Sequence, residues 1–174
     1  GSRILHAFQN AESVLVVNHQ IAALVKPFVR DVRVIPSGFD SDRFSEVPVR
    51  KNCETSFRIL FAGLTEEYMK GFHILLAACN QLWEKRHDFE LWVTSDLDES
   101  LPSFVKFFGW QDQKSLPRLM AECDVVVVPT IAQEALGRTA VEAMGVGRAV
   151  IASRLGGLIE TVTEGITGLL VRPS

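Results

Sequence analysis

The sequence has no long apolar run. Its best candidates, Val125–Val128 and Ala149–Ile151, are strand-sized, well short of the roughly 18–20 residues a helix needs to cross a bilayer. Arg3–Asn10 has no apolar centre with a cleavage site, so no secretory leader is predicted. Basic charge is not in surplus: 18 Lys and Arg stand against 21 Asp and Glu, a net charge of −3, which argues against a nucleic-acid-binding face. Cysteine is scarce. Cys53, Cys79 and Cys123 are odd in number and far apart, so there is neither a disulfide framework nor a zinc spacing, and a reducing, cytosolic setting is expected. Cys79 and Cys123 lie in apolar helical contexts and read as core. His6, His19, His73 and His87 are scattered without metal-ligand spacing. No strong Asp-x-Asp motif is present; Asp96-Leu-Asp98 is a faint echo of one, so no metal is expected. The only Gly-x-Gly, Gly145-Val-Gly147, leads from a helical into a strand pattern, the reverse of a dinucleotide fingerprint.

What is present is an ordinary globular composition, 47% hydrophobic and 22% charged over 174 residues, with strand and helix patterns alternating from residue 57 onward. Short apolar runs at Arg58–Ala62, Phe89–Val93, Phe104–Phe108, Asp124–Val128, Arg148–Ala152 and Gly168–Val171 read as buried parallel strands. Between them, Gly71–Lys85 repeats apolar residues at offsets of three and four (Phe72, Leu75, Leu76, Cys79, Leu82, Trp83), one face of a helix. Gln113–Ala121, Glu134–Met144 and Leu158–Val162 read as further helices. Gly145 and Gly147 end the second of these. Upstream, Ser13–Val17 and Arg33–Ile35 read as strands and Gln20–Val29 as a helix. Asp40–Ser56 reads as a polar connection. The fold class is α/β: a Rossmann-like parallel sheet with helices on both faces. Such sheets bind ligands at the carboxyl ends of their strands, which selects the loops at 63–70, 94–98, 109–112 and 129–134.

The segment Pro129–Met144 is the most informative. A strand ends, a loop follows, and a helix is predicted to begin near Glu134, where free N–H groups attract phosphate. Gly137 allows close approach of a ligand to the backbone. Glu134 and Glu142, if on one helix, stand about 12 Å apart. That is too far for a glycosidase carboxylate pair and suits the two ends of a nucleotide sugar. An amphipathic helix carrying two solvated glutamates explains this segment, taken alone, equally well.

Several motifs follow in order. They are Arg33-Val-Ile-Pro-Ser-Gly-Phe-Asp40 with Arg43-Phe44, Ile59-Leu-Phe-Ala-Gly63, Lys70-Gly71 with Leu75-Leu-Ala77, and Phe108-Gly-Trp110. Glu134-x7-Glu142 with Ala143-Met144 and Gly147, then Gly156-Gly-Leu-Ile-Glu160 and Gly165-Ile-Thr-Gly168-Leu-Leu-Val171, complete the set. Together they resemble the retaining GT-B-fold glycosyltransferases of the family-4 type, specifically their C-terminal donor-binding domain. The resemblance implies residues 1–40 as closing elements of an N-terminal domain plus linker, and 41–174 as the nucleotide-sugar-binding domain. It implies Glu134 and Lys70 as catalytic, Glu134 on the donor sugar and Lys70 on the diphosphate. Glu142 would contact the ribose, amides of Ala135, Leu136 and Gly137 would face the phosphates, and Phe108 and Gly109 would line the base. Gly63, Leu64, Thr130 and Arg138 complete the implied donor-binding set. Glu160 is implied near the site, with a plain surface charge the alternative. One departure stands out. The family usually carries Gly-Arg where this chain has Gly63-Leu64, and leucine offers neither charge nor donor. Arg138 is a candidate substitute.

The function so implied is transfer of a hexose-type sugar from a nucleoside-diphosphate sugar to a glycan or lipid-linked acceptor held by an N-terminal domain. Neither metal nor cofactor is needed, and no nucleic acid is bound. The location expected is cytoplasmic, with peripheral attachment to the inner face of the membrane left open. A chain of this extent is expected to bind a nucleoside diphosphate and transfer no sugar. The alternatives are a non-catalytic nucleotide- or ligand-binding Rossmann-like domain and a GT-B-fold sugar-nucleotide epimerase.

Overall fold

The computed structural model describes residues 2–45, 47–48, 56–96 and 100–173. The chain opens with helix α1 (Ser2–Asn10), strand β1 (Val14–Val16), helix α2 (His19–Val25) and strand β2 (Val32–Val34). β1 and β2 pair in parallel, Val14 opposite Val32 and Val16 opposite Val34. The predicted strand–helix–strand is therefore there, with shifted ends. α2 gives way to a 3-10 turn, Lys26–Phe28, where Pro27 removes an N–H from the helical ladder. α1 was not foreseen from the sequence.

The predicted polar connection after Asp40 needs correction. It contains a short helix, α3 (Ser41–Ser45), whose Phe44 is buried at 4% exposure and meets Phe39 with ring centroids 5.1 Å apart. A five-residue helix with one buried aromatic leaves no periodicity to detect.

The remaining strands are β3 (Phe57–Phe61), β4 (Phe89–Val93), β5 (Val105–Phe107), β6 (Val125–Val128), β7 (Ala149–Ser153) and β8 (Gly168–Val171). They form one parallel sheet in the order β5-β4-β3-β6-β7-β8. The strands read as unbroken apolar runs because both faces are used. Leu60, Trp92, Val126, Val128, Val150, Ala152 and Leu170 pack toward α5 (Leu116–Glu122), α6 (Arg138–Gly145) and α7 (Leu158–Thr161). Ile59, Phe61, Leu91, Val93, Val125 and Val127 pack toward α4 (Phe72–Trp83). Each fully buried side chain, such as Leu60, Leu91 or Met120, contributes about 1.5–3 kcal/mol. The predicted face of α4 is present: Phe72, Leu75 and Cys79 are buried, and Trp83 packs on Phe89 and Phe104.

The strand order places the site. From β3 the chain steps through α4 to β4 and β5. It then crosses back through α5 to β6 on the other side of β3, and continues outward to β7 and β8. Right-handed crossovers put the helices of the two directions on opposite faces. The two directions diverge between β3 and β6, so a crevice opens beyond the carboxyl ends of these two strands.

Candidate functional site

A cavity of about 320 Å³ lies at that crevice. Phe61, Ala62 and Gly63 line it from the end of β3, and Val127, Val128, Pro129 and Thr130 from the end of β6. Lys70 and the stretch Glu134–Thr139 close it, together with Ser37.

Lys70 reaches the cavity from a 3-10 turn, Tyr68–Lys70, that is stitched to the loop after β6. Thr130, 1% exposed, donates its hydroxyl to the Met69 carbonyl at 3.0 Å, and the Ile131 amide donates to the same oxygen at 3.0 Å. Gly71, with φ +75°, lets this turn pass against β6: a Cβ there would lie 2.0 Å from the Pro129 carbonyl oxygen. The result is a Lys70 Nζ to Glu134 Oε1 ion pair at 3.0 Å, both side chains partly exposed to the cavity.

The predicted start of the helix at Glu134 is corrected. α6 begins at Arg138, capped by Gly137 in the left-handed conformation at φ +80°. Its first hydrogen bonds run from the Ala140 and Val141 amides to the Gly137 carbonyl. A left-handed residue cannot continue a right-handed helix, so Glu134–Leu136 is a loop that turns into the helix at Gly137. The helical separation of about 12 Å predicted between the two glutamates falls with it. Gly137, Arg138 and Thr139, at the positive end of α6, are residues of the cavity wall.

Of the sequence-predicted residues, the structure brings Gly63, Lys70, Thr130, Glu134, Ala135, Leu136, Gly137 and Arg138 to one cavity. Glu142 is not among its lining residues. It faces an adjoining hollow of about 50 Å³ beside Phe39, Asp40, Arg43 and Gln113, which meets the main cavity at Leu136 and Arg138. Burial pushes the Glu142 carboxyl above its ordinary value, against the opposing pull of Arg138, whose Nη2 stands 3.4 Å away. The Arg138 guanidinium is thus partly engaged by Glu142 and is otherwise exposed. Leu64 is half-buried and is not in the cavity wall. Phe108 and Gly109 sit at the end of β5, two strands from β3, and do not line the cavity either. Phe108 packs on Trp92 at 4.5 Å between ring centroids.

Glu160, implied near the site, is not among the residues lining the cavity and ties α7 to the start of α2. It accepts hydrogen bonds from the His19 and Gln20 amides at 2.9 and 3.2 Å and contacts the His19 ring nitrogen Nδ1 at 2.7 Å. These contacts hold its carboxyl below the usual carboxylate range, the His19 side chain being the largest influence. His73 stacks on Tyr68, ring centroids 4.3 Å apart. Cys79 and Cys123 are buried, as predicted, and Cys53 lies outside the described residues. Among the described residues no group of three or more His, Cys, Asp or Glu side chains is placed to hold a metal; Leu97 and Asp98 are outside them.

The site residues named from the sequence did not include Ser37, Phe61, Ala62, Val127, Val128, Pro129 or Thr139, all of which line the cavity. The carboxyl-end rule could have found Phe61, and Thr139 adjoins Arg138. Ser37 reaches the cavity from the turn after β2, inside the Arg33–Asp40 motif, which marked the turn but assigned Ser37 no role. In chemical terms the cavity pairs one ammonium with the amides at a helix start, an arrangement that holds phosphate oxygens, and adds a carboxylate able to accept from hydroxyls.

The sequence model described as "Glycosyl transferases group 1" matches residues 56–174, more than half of the chain. The phosphatidyl-myo-inositol mannosyltransferase of Mycolicibacterium smegmatis is 31% identical over 150 residues, covering 81% of this chain and 39% of that protein. Sucrose-phosphate synthase from Thermosynechococcus elongatus superposes with a TM-score of 0.82 at 28% identity, over 98% of this chain and 48% of that one. The Anabaena protein HepE, solved in complex with UDP and glucose, superposes with a TM-score of 0.77 at 25% identity, over 100% of this chain and 54% of that one. The chain therefore spans about half the length, or less, of these relatives. The sheet is that of the GT-B glycosyltransferases. The chain belongs to the glycosyl transferases of group 1.

Proposed function

We propose that this chain is the donor-binding domain of a retaining glycosyltransferase that moves a hexose-type sugar from a nucleoside-diphosphate sugar to a glycan or lipid-linked acceptor. The observation that carries the reading is the Lys70–Glu134 pair, 3.0 Å apart, in the cavity beside the start of α6. As the bond from the sugar's anomeric carbon to the diphosphate oxygen breaks, the electron pair passes to the diphosphate. A fixed ammonium and the helix-start amides stabilise that growing charge, doing the work of a metal ion. Glu134, held at the mouth of the same cavity, accepts from sugar hydroxyls. HepE's complex with UDP and glucose supports a nucleotide sugar as the ligand. Glu142, in the adjoining hollow, suits the ribose.

Calorimetric titration with UDP and GDP tests the reading. Binding of one of them is expected, weakened about 10- to 100-fold by Lys70→Ala. A wild-type protein that takes up neither nucleotide refutes it. One observation favours a non-catalytic nucleotide-binding domain instead: Leu64 brings no second cation to the cavity. Slow hydrolysis of UDP-glucose or GDP-mannose by the full-length protein, lost in Lys70→Ala, separates the catalytic reading from that one.

A further inference from the structure

The three carbonyl groups of the loop before α6 are each held by a different donor. The Glu134 oxygen accepts from the Gly157 amide at 2.6 Å. The Ala135 oxygen accepts from Asn18 Nδ2 at 2.5 Å. The Leu136 oxygen accepts from the Thr161 hydroxyl at 2.7 Å. None of these donors is among the residues lining the cavity. In a trans peptide unit the carbonyl and the following N–H point in opposite directions. Fixing these three oxygens therefore fixes the N–H directions of Ala135, Leu136 and Gly137, which belong to the cavity wall.

We propose that Asn18 and Thr161 are positioning residues, which set the amide cradle of the site by holding the carbonyls of Ala135 and Leu136. The inference rests on the diphosphate reading above. Asn18 is built for the task. It is 3% exposed, its Oδ1 caps α2 by accepting from the Ile21 amide at 2.7 Å, and its Nδ2 serves Ala135 across 117 residues of sequence. The supporting backbone lies very close. A Cβ on Gly157 would stand 2.2 Å from the Ala135 oxygen, and one on Gly156 would stand 2.3 Å from the Glu134 oxygen. Glu160 binds the start of α2 to α7, so both side-chain donors are fixed relative to one another. Through Asn18 the small β1–α2–β2 unit sets the geometry of a cavity whose wall it supplies only at the following turn, Ser37.

Two variants separate positioning from packing. Asn18→Asp keeps an oxygen to cap α2 and loses the donor to Ala135. Thr161→Val keeps shape and loses the hydroxyl, and Thr161→Ser restores it. Each is read by amide hydrogen exchange at 135–137 without ligand and by calorimetric UDP affinity. Asn18→Asp and Thr161→Val are expected to speed exchange at these amides and to weaken UDP binding about tenfold, with Thr161→Ser close to wild type on both. Unchanged exchange in Thr161→Val overturns the inference, as does faster exchange with undiminished UDP affinity. Should Asn18→Asp fail to fold, the Thr161 pair decides. If exchange responds as expected but the wild type binds neither UDP nor GDP, the positioning role stands and the diphosphate reading falls; if it binds GDP and not UDP, the affinities are read with GDP.

Discussion

Lys70 and Glu134 are 64 residues apart in sequence and meet at 3.0 Å. A half-exposed pair of this kind adds at most about 1 kcal/mol to stability. Its value is placement, and Lys70→Met is expected to leave the thermal midpoint within a few degrees while weakening nucleotide binding, both read in one thermal-shift series with and without UDP. The buried thiols behave oppositely: burial pushes Cys79 up to about 11 and Cys123 up to about 12, so neither forms thiolate at neutral pH. In a Cys53→Ser background, iodoacetamide at about pH 8 should modify neither thiol in the folded protein and both after denaturation. Glu160 gives a pH signature. Its folded value lies below the ordinary 4.5, so its contribution is complete above that value and is lost as pH falls through the depressed one. Glu160→Gln should lower the midpoint at neutral pH and remove part of the decline seen on acidification. A wild-type and a variant curve that stay parallel from neutral to acid pH would contradict this.

Two glycines shape the elements around the site. Gly71 closes the Lys70 turn and opens α4 at φ +75°, with the Pro129 carbonyl where a Cβ would go. Gly109 has a similar φ, +66°, but open space around it. Gly71→Ala should therefore cost more than Gly109→Ala, which bears only the roughly 1–2 kcal/mol of left-handed strain; urea denaturation of the two variants measures the difference. At α6, the sequence predicted a helix through Met144 ended by Gly145 and Gly147, and the helix closes at Gly145. Its start was misread because Glu134 and Ala135 are good helix formers, whereas Gly137 takes φ +80°, with Leu158 Cδ2 standing 2.3 Å from where a Cβ would lie.

At the scale of the molecule, the divided winding leaves the two faces unequally covered. α5, α6 and α7 cover one face, whereas among the described residues α4 alone covers the other. An apolar groove of about 500 Å³ remains between α4 and the β6–β8 side, lined by Leu82, Val127, Ile151 and Val171 among others. Val171, 44% exposed, should tolerate Val171→Lys with little loss of stability, and the change should reduce the fluorescence of an apolar dye bound to this chain. Alternating apolar runs were enough to determine the parallel α/β sheet, because strands buried on both faces must be apolar throughout. The ordered motifs likewise marked Lys70, Glu134 and Gly137 as site residues. Which side chains share the cavity, by contrast, depended on strand order. The switch between β3 and β6 joined Lys70 to Glu134, left Phe108 and Gly109 two strands away, and set Glu142 in a separate hollow. The roles of Asn18 and Thr161 were likewise invisible in the sequence, since a hydrogen bond spanning 117 residues leaves no local pattern and exists only once the chain has folded.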